Sequence, residues 1–248
     1  MQNPTLVLIH AFPLHGGMWE PQRSALSGAV DIYAPDLPGF GSAPGLDDQI
    51  FTMRLAARFV QRELESRGIR RCIIAGLSMG GYIAFECWRL FPEMIAGLLL
   101  ADTRATPDTA EGRMGRFAGM DRIGAGDFSG FAEDLLTKLV APTTRESRPE
   151  LMDAIRKLIH SSTPESSVSA LLGLAGRADS TPLLPTITVP TALVFGAEDV
   201  ITPVADGRAM LSQIPGATLT EIAGAGHLSN LERPDEFNAA LRALIGRV

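Results

Sequence analysis

The sequence of 248 residues is short of several things, and each shortage narrows what it can be. It has two cysteines, Cys72 and Cys87, both inside apolar segments. Two thiols can pair, but these placements suit buried free cysteines in a reducing compartment better than a disulfide framework. Positive charge is not in excess: the net charge is −6, which argues against a nucleic-acid binder, since those carry a basic patch. No run of like charge is long enough to be a tail. The N-terminal MQNPTLVLIH lacks a basic leader and a small-residue cleavage site, so no signal peptide is expected. The most apolar run, Ile95 to Ala101, is far too short to span a bilayer. There is no internal repeat and no low-complexity linker. The expectation is a soluble, cytoplasmic protein.

What is present is globular: 46% of residues are hydrophobic and 20% charged, in a length that suits one large α/β domain. Six short apolar runs read as buried strands: 5–9, 30–34 (stopped by Pro35), 71–75, 95–101, 191–195 and 217–222. Helical patterns fall between them. Residues 50–66 carry Leu55, Phe59 and Val60 among arginines and glutamates, the pattern of an amphipathic surface helix. Residues 82–91 are apolar nearly all round and stop at Pro92, so that helix should be buried. After Pro234, Phe237, Leu241, Leu244 and Ile245 follow at helical spacing. Alternating strands and helices predict βαβ units and a parallel sheet.

The alternation breaks after Asp102. From Thr103 to about Ser180 there are only helix-like pieces, near 128–140, 149–160 and 164–176, with Thr163 before Pro164 as a helix start. This predicts a discontinuous core, residues 1–102 and 181–248, with a helical cap of residues 103–180 inserted after the fourth strand.

Gly76-Leu-Ser78-Met-Gly80 follows the third strand and opens a helix. As a pattern, glycine–x–serine–x–glycine is weak; its placement is what makes it informative. A serine on so tight a turn is forced toward unfavourable backbone angles and needs small neighbours. The turn exposes the hydroxyl at the carboxyl end of a strand, where a helix N-terminus favours negative charge. The blander reading is a glycine-rich turn with an incidental serine. A phosphate cradle is disfavoured, because no lysine accompanies the glycines.

A nucleophilic serine needs a base, and the base needs an orienting acid. Of the four histidines, His227 sits in a loop after the last strand, where a carboxyl-edge site collects its residues. His160 reads as a surface residue, and His10 as a brace of the first loop. Asp199, after the fifth strand, is the favoured acid, with Glu198 and Asp102 as competitors. Asp36 reads as a brace of its own turn. Two N–H donors for an oxyanion are expected from Met79 and Phe12.

At this point the sequence resembles the α/β-hydrolase superfamily. The order Ser78, Asp199, His227 is that family's nucleophile–acid–base order. His-Ala-Phe-Pro at 10–13 resembles its oxyanion loop, residues 36–42 its D-x-x-G-x-G-x-S turn, and residues 226–234 its histidine loop, particularly in small bacterial esterases and enol-lactonases. The resemblance covers residues 5–102 and about 188–248, and not the cap. Ala11 stands where the family has glycine, and the chain starts at the strand that is usually third. The implied fold is the α/β-hydrolase fold, trimmed to roughly six mostly parallel strands flanked by helices.

The implied chemistry is acyl transfer on Ser78 with no metal and no organic cofactor. The expected function is a serine carboxylesterase acting on small, mostly apolar esters. A lactonase or enol-lactonase and a carbon–carbon hydrolase with the same triad stand as alternatives, and from another class a hydrolase-fold ligand receptor. The expected partner is a small-molecule ester or lactone, not nucleic acid or membrane; oligomeric state is open. An anionic lactone would need a cation, for which Arg104, Arg113, Arg116 and Arg122 are candidates. Phe117, Met120, Phe128, Phe131, Leu135, Leu139, Leu171, Leu172 and Leu174 are the apolar cap residues from which a pocket lining would be drawn.

Overall fold

The structure is a computed structural model, and it describes residues 4–45 and 50–248. Six strands form one sheet: β1 (Thr5–Ile9), β2 (Ile32–Tyr33), β3 (Cys72–Leu77), β4 (Ile95–Ala101), β5 (Thr191–Gly196) and β6 (Thr218–Ile222). Their order is β2-β1-β3-β4-β5-β6, and every neighbouring pair is parallel. The helices, in chain order, are α1 (Glu20–Leu26), α2 (Met53–Ser66), α3 (Met79–Leu90), α4 (Ala110–Gly124), α5 (Phe128–Leu139), α6 (Pro142–Ser147), α7 (Pro149–His160), α8 (Pro164–Ala175), α9 (Val204–Leu211), α10 (Ser229–Glu232) and α11 (Pro234–Ile245).

The period of two along each strand sends side chains to two cores. On β4, Leu98 and Leu100 enter one, with α2, α3 and α9; Leu99 and Ala101 enter the other, with α1 and α11. Helix α2 shows why its sequence is helical: Thr52 caps it by accepting from Leu55 N–H at 3.1 Å. Its buried residues, Met53, Ala56, Ala57, Val60 and Leu64, lie on one stripe. Cys72 and Cys87 are free and buried. No helix among the described residues is long and apolar enough to cross a membrane.

From β1 the chain steps outward to β2 and returns to β3 on the other side of β1. The winding therefore reverses between β1 and β3. In such sheets the loops leaving the carboxyl ends part at that point and leave a crevice. Helices α4 to α8 lie between β4 and β5 in the chain and pack on the loops of that edge. Phe51 N–H donates to Ser169 Oγ of α8 at 2.8 Å, and Leu228 N–H to the Leu139 carbonyl of α5 at 2.9 Å.

Four details differ from expectation. The second strand is two residues rather than five, because at the sheet edge only Ile32 and Tyr33 pair with β1. The third strand runs two residues further, to Leu77, and its helix starts three earlier, at Met79, leaving a one-residue turn. Helix α4 was not expected. It carries Gly112, Gly115, Gly119 and Gly124, buries only Ile123, and so has neither helix propensity nor an apolar stripe to announce it. Helix α6 is six residues long, too short for periodicity to show.

Candidate active site

Ser78 is the single residue between β3 and α3, with φ 55° and ψ −113°. Such angles cost an L-residue on the order of 1–3 kcal/mol and persist only where surroundings enforce them. The enforcement is visible. Ser78 N–H donates to the Ala101 carbonyl, and Thr103 Oγ1 donates to the Ser78 carbonyl, both at 2.9 Å. A Cβ on Gly76 would lie 2.2 Å from the Gly80 carbonyl oxygen, and one on Gly80 would lie 2.1 Å from that of Ile9. Both glycines are thus required by close approach, and the second seats the start of α3 against the end of β1. The Ser78 side chain remains half-buried rather than sealed.

That seating puts the first turn of α3 beside the loop after β1. Met79 N–H and Phe12 N–H donate to no other group among the described residues. Ala11, in the position where the family has glycine, does not adopt positive φ, so the loop needs no glycine there. Its own N–H is taken by Met18 Sδ at 3.3 Å. His10 is a brace, as expected: Nδ1 bonds the Ala11 carbonyl at 2.9 Å, and Nε2 accepts from Leu37 N–H at 3.0 Å. Burial holds its imidazole down to about 4, which keeps it neutral.

The candidate acid and the candidate base meet. His227 Nδ1 donates to Asp199 Oδ2 at 2.7 Å, with both side chains almost wholly buried. Asp199 is surrounded by donors: Ile201 N–H at 2.7 Å and Thr202 N–H at 3.0 Å reach Oδ1, and Thr202 Oγ1 reaches Oδ2 at 2.6 Å. Burial alone would raise this carboxyl, but the His227 contact and the Thr202 donors outweigh it and hold it below the usual carboxylate range. An ionised Asp199 keeps the ring proton on Nδ1 and leaves Nε2 as the basic nitrogen. Ser78 Oγ makes no hydrogen bond to His227 among the described residues.

The competing acids fall elsewhere. Asp102 is fully buried, but its oxygens accept from Gly196 N–H at 2.8 Å and from Ser229 Oγ, not from His227. It bridges the end of β4 to β5 and to the His227 loop. Burial, and then the charge of Asp199, push its carboxyl well above the usual range. Glu198 is partly exposed, and its N–H holds the Ala225 carbonyl at 2.9 Å.

The known family pattern of alpha/beta hydrolases matches residues 6–240. The chain belongs to the alpha/beta hydrolase family. It is 29% identical over 250 residues to a pimeloyl-[acyl-carrier protein] methyl ester esterase of Chromobacterium violaceum, covering 97% of this chain and 93% of that one. It is 27% identical over 250 residues to 3-oxoadipate enol-lactonase 2 of Acinetobacter baylyi, covering 99% and 90%. Among solved structures, a thermophilic esterase from Thermogutta terrifontis superposes with a TM-score of 0.94 at 35% identity, covering 98% of this chain and 89% of that one.

In this alpha/beta hydrolase the remaining candidates sort by their contacts. Asp36 braces its turn, accepting from Gly16 N–H, Ser42 N–H and Ser42 Oγ, each at 2.8 Å. His160 is exposed and packs edge-on to Phe128. Arg104 pairs with Asp206 at 3.2 Å, Arg116 with Asp108 at 2.7 Å, and Arg122 with Asp127 and Asp134 at 2.5 Å each. Arg113 alone of the four makes no ion pair among the described residues, and it is exposed. Of the apolar candidates, Leu139, Leu171 and Leu174 are buried in the cores, while Phe131 reaches the loop after β1, its ring centroid 6.5 Å from that of Phe12. Among the described residues no group of three or more His, Cys, Asp or Glu side chains is placed to hold a metal ion.

Sequence reasoning missed Thr202, Thr103 and Glu232. Thr202 carries a faint signal, a hydroxyl three residues after Asp199 and before Pro203. Thr103 carries none, because its partner Ser78 lies 25 residues away, and nothing local marks the contacts of Glu232 with residues 141 and 144, which lie 91 and 88 residues away.

Proposed function

We propose that this chain is a serine hydrolase of small, uncharged carboxylic esters, acting through an acyl-enzyme on Ser78. His227 takes the Ser78 proton as the hydroxyl attacks the ester carbonyl. The oxyanion is received by the Met79 N–H at the start of α3 and the Phe12 N–H of the loop after β1. His227 returns the proton to the departing alcohol, then activates the water that releases the acid. Asp199 holds the imidazole in its working tautomer and stabilises its cation. Residues 103–180 form a helical cap over a core of residues 1–102 and 181–248, and Phe131 brings that cap to the oxyanion loop.

The observation that carries this reading is the buried Asp199–His227 hydrogen bond at the same sheet edge as a serine in strained geometry. The similarity to an esterase at 35% identity supports ester hydrolysis. The similarity to an enol-lactonase keeps lactones in view. Against an anionic lactone stands the pairing of Arg104, Arg116 and Arg122 with carboxylates; Arg113, the fourth candidate, is unpaired among the described residues but exposed.

A panel of neutral esters, neutral lactones and anionic enol-lactones, run beside Ser78→Ala, tests the proposal. Neutral esters should be cleaved fastest, and Ser78→Ala should lose nearly all turnover. An anionic lactone hydrolysed far faster than any ester would overturn the substrate class. Ligand binding without multiple turnovers, and without labelling by a fluorophosphonate, would make the protein a receptor instead.

A further inference from the structure

The residue before the proposed base is held by a carboxylate six residues further along the chain. Gly226 N–H donates at 2.7 Å to Oε1 of Glu232, on α10. The other oxygen of that carboxylate faces the helical segment above the site: Oε2 accepts from Ala141 N–H at 2.8 Å and from Thr144 Oγ1 at 2.6 Å. The backbone of the same stretch is clamped as well. Arg148 Nη1 donates to the Glu232 carbonyl at 2.8 Å, and Leu228 N–H to the Leu139 carbonyl at 2.9 Å. The surfaces touch so closely that a Cβ on Gly226 would lie 2.6 Å from Ala141 N.

We propose that Glu232 is a positioning residue for His227, joining the backbone just before the base to the α5–α6 junction of the helical segment. This rests on the reading of His227 as base. A carboxylate 2% exposed, with no cation paired to it among the described residues, is a poor way to stabilise a fold. Burial raises its carboxyl above the usual range, and the three donors offset that only in part. What the carboxylate supplies instead is geometry. It has two acceptor oxygens in one plane, each facing a different segment, and neither an amide nor an apolar side chain can accept on both sides. Any shift of α5 and α6 is thereby passed to the His227 backbone.

The test uses the full chain and three variants: Glu232→Gln, Thr144→Val and the double variant. Active sites are counted by labelling Ser78 to completion with a fluorophosphonate, so that kcat refers to folded, competent sites. Glu232→Gln should lower kcat per labelled site about tenfold with KM within about twofold, the mark of a misplaced group. Thr144→Val, which touches none of Ser78, Asp199 or His227, should lower it about threefold, and the double variant should be no worse than Glu232→Gln, since the two act through one contact. An unchanged kcat per site with only a lower melting temperature, or effects that simply multiply, would overturn the proposal. If Glu232→Gln does not fold, Thr144→Val decides by the same criterion. His227→Ala separates the two readings. If it keeps most of its turnover, the assignment of the base fails. If it is inactive while the other variants turn over normally per site, only the role of Glu232 fails.

Discussion

His227 Nδ1 and Thr202 Oγ1 reach the same carboxylate oxygen, Oδ2 of Asp199, at 2.7 and 2.6 Å, and lie 3.2 Å from each other. The oxygen that orients the imidazole is therefore itself held in place. Asp199→Asn offers an amide N–H or an unheld oxygen in its place and should cost about a hundredfold or more in kcat/KM. Thr202→Val keeps the shape, removes one donor and should cost roughly threefold to tenfold. Steady-state kinetics of both variants checks this, and a Thr202→Val loss as large as that of Asp199→Asn would show that the valine disturbs more than one hydrogen bond.

Ser78 combines the proposed nucleophile with positive φ, so its replacements should separate stability from turnover. Ser78→Ala and Ser78→Gly should both fold and both lose at least about a thousandfold in kcat. Glycine tolerates these angles while alanine does not. Ser78→Gly is therefore expected to be about 1 kcal/mol more stable than Ser78→Ala, after allowing for the greater freedom of glycine in the unfolded chain. Denaturant unfolding of the pair measures the difference, and equal midpoints would mean that the turn is not strained.

Asp102 and Asp199 shift in opposite directions, and the consequence is a pH effect on stability. The Asp102 carboxyl is raised in the folded state, so the folded protein holds that proton to higher pH than the unfolded chain does. Its contribution is present at low pH and lost as pH rises through the folded value. Asp102→Asn keeps an acceptor for Gly196 N–H and offers Ser229 Oγ an N–H, without a charge to bury. Its melting temperature should exceed that of the parent at pH 8, with the gap closing toward pH 4. A gap independent of pH would mean that folding does not shift the Asp102 carboxyl.

His10 works in the other direction, because its folded value is lowered from 6.5 to about 4 by burial. Between those values the unfolded chain binds more protons, so stability falls on acidification, by about 3 kcal/mol in all. His10→Gln should be less stable at neutral pH but lose less between pH 6.5 and 4. Urea unfolding across that window checks it; parallel slopes for the two proteins would exclude His10 as the source.

Much of the frame was legible in local patterns. Residues 95–101 read as a strand because a short apolar run between Pro92 and Asp102 has the length of a buried strand, and 149–160 as a helix because apolar residues recur on one face. The Gly76–Gly80 stretch announced its turn because both glycines face backbone atoms that leave no room for a Cβ. Helix α4 was illegible for the opposite reason: with one buried residue it has no stripe to display.

Chain-local physics, which depends on residues within a few positions of one another, was enough for the parallel sheet, the strand–serine–helix turn and the sequence positions of His227 and Asp199. It favoured Asp199 but left Glu198 and Asp102 as competitors, because all three sit near strand ends and differ mainly in what surrounds them once folded. That choice was made by tertiary packing, which pointed Asp199 at His227 and bound Asp102 to Gly196 and Ser229. The same holds for Glu232, whose carboxylate faces donors from residues 141 and 144. Hydrogen bonds between segments far apart in the chain leave no periodicity behind, so only the folded arrangement reveals them.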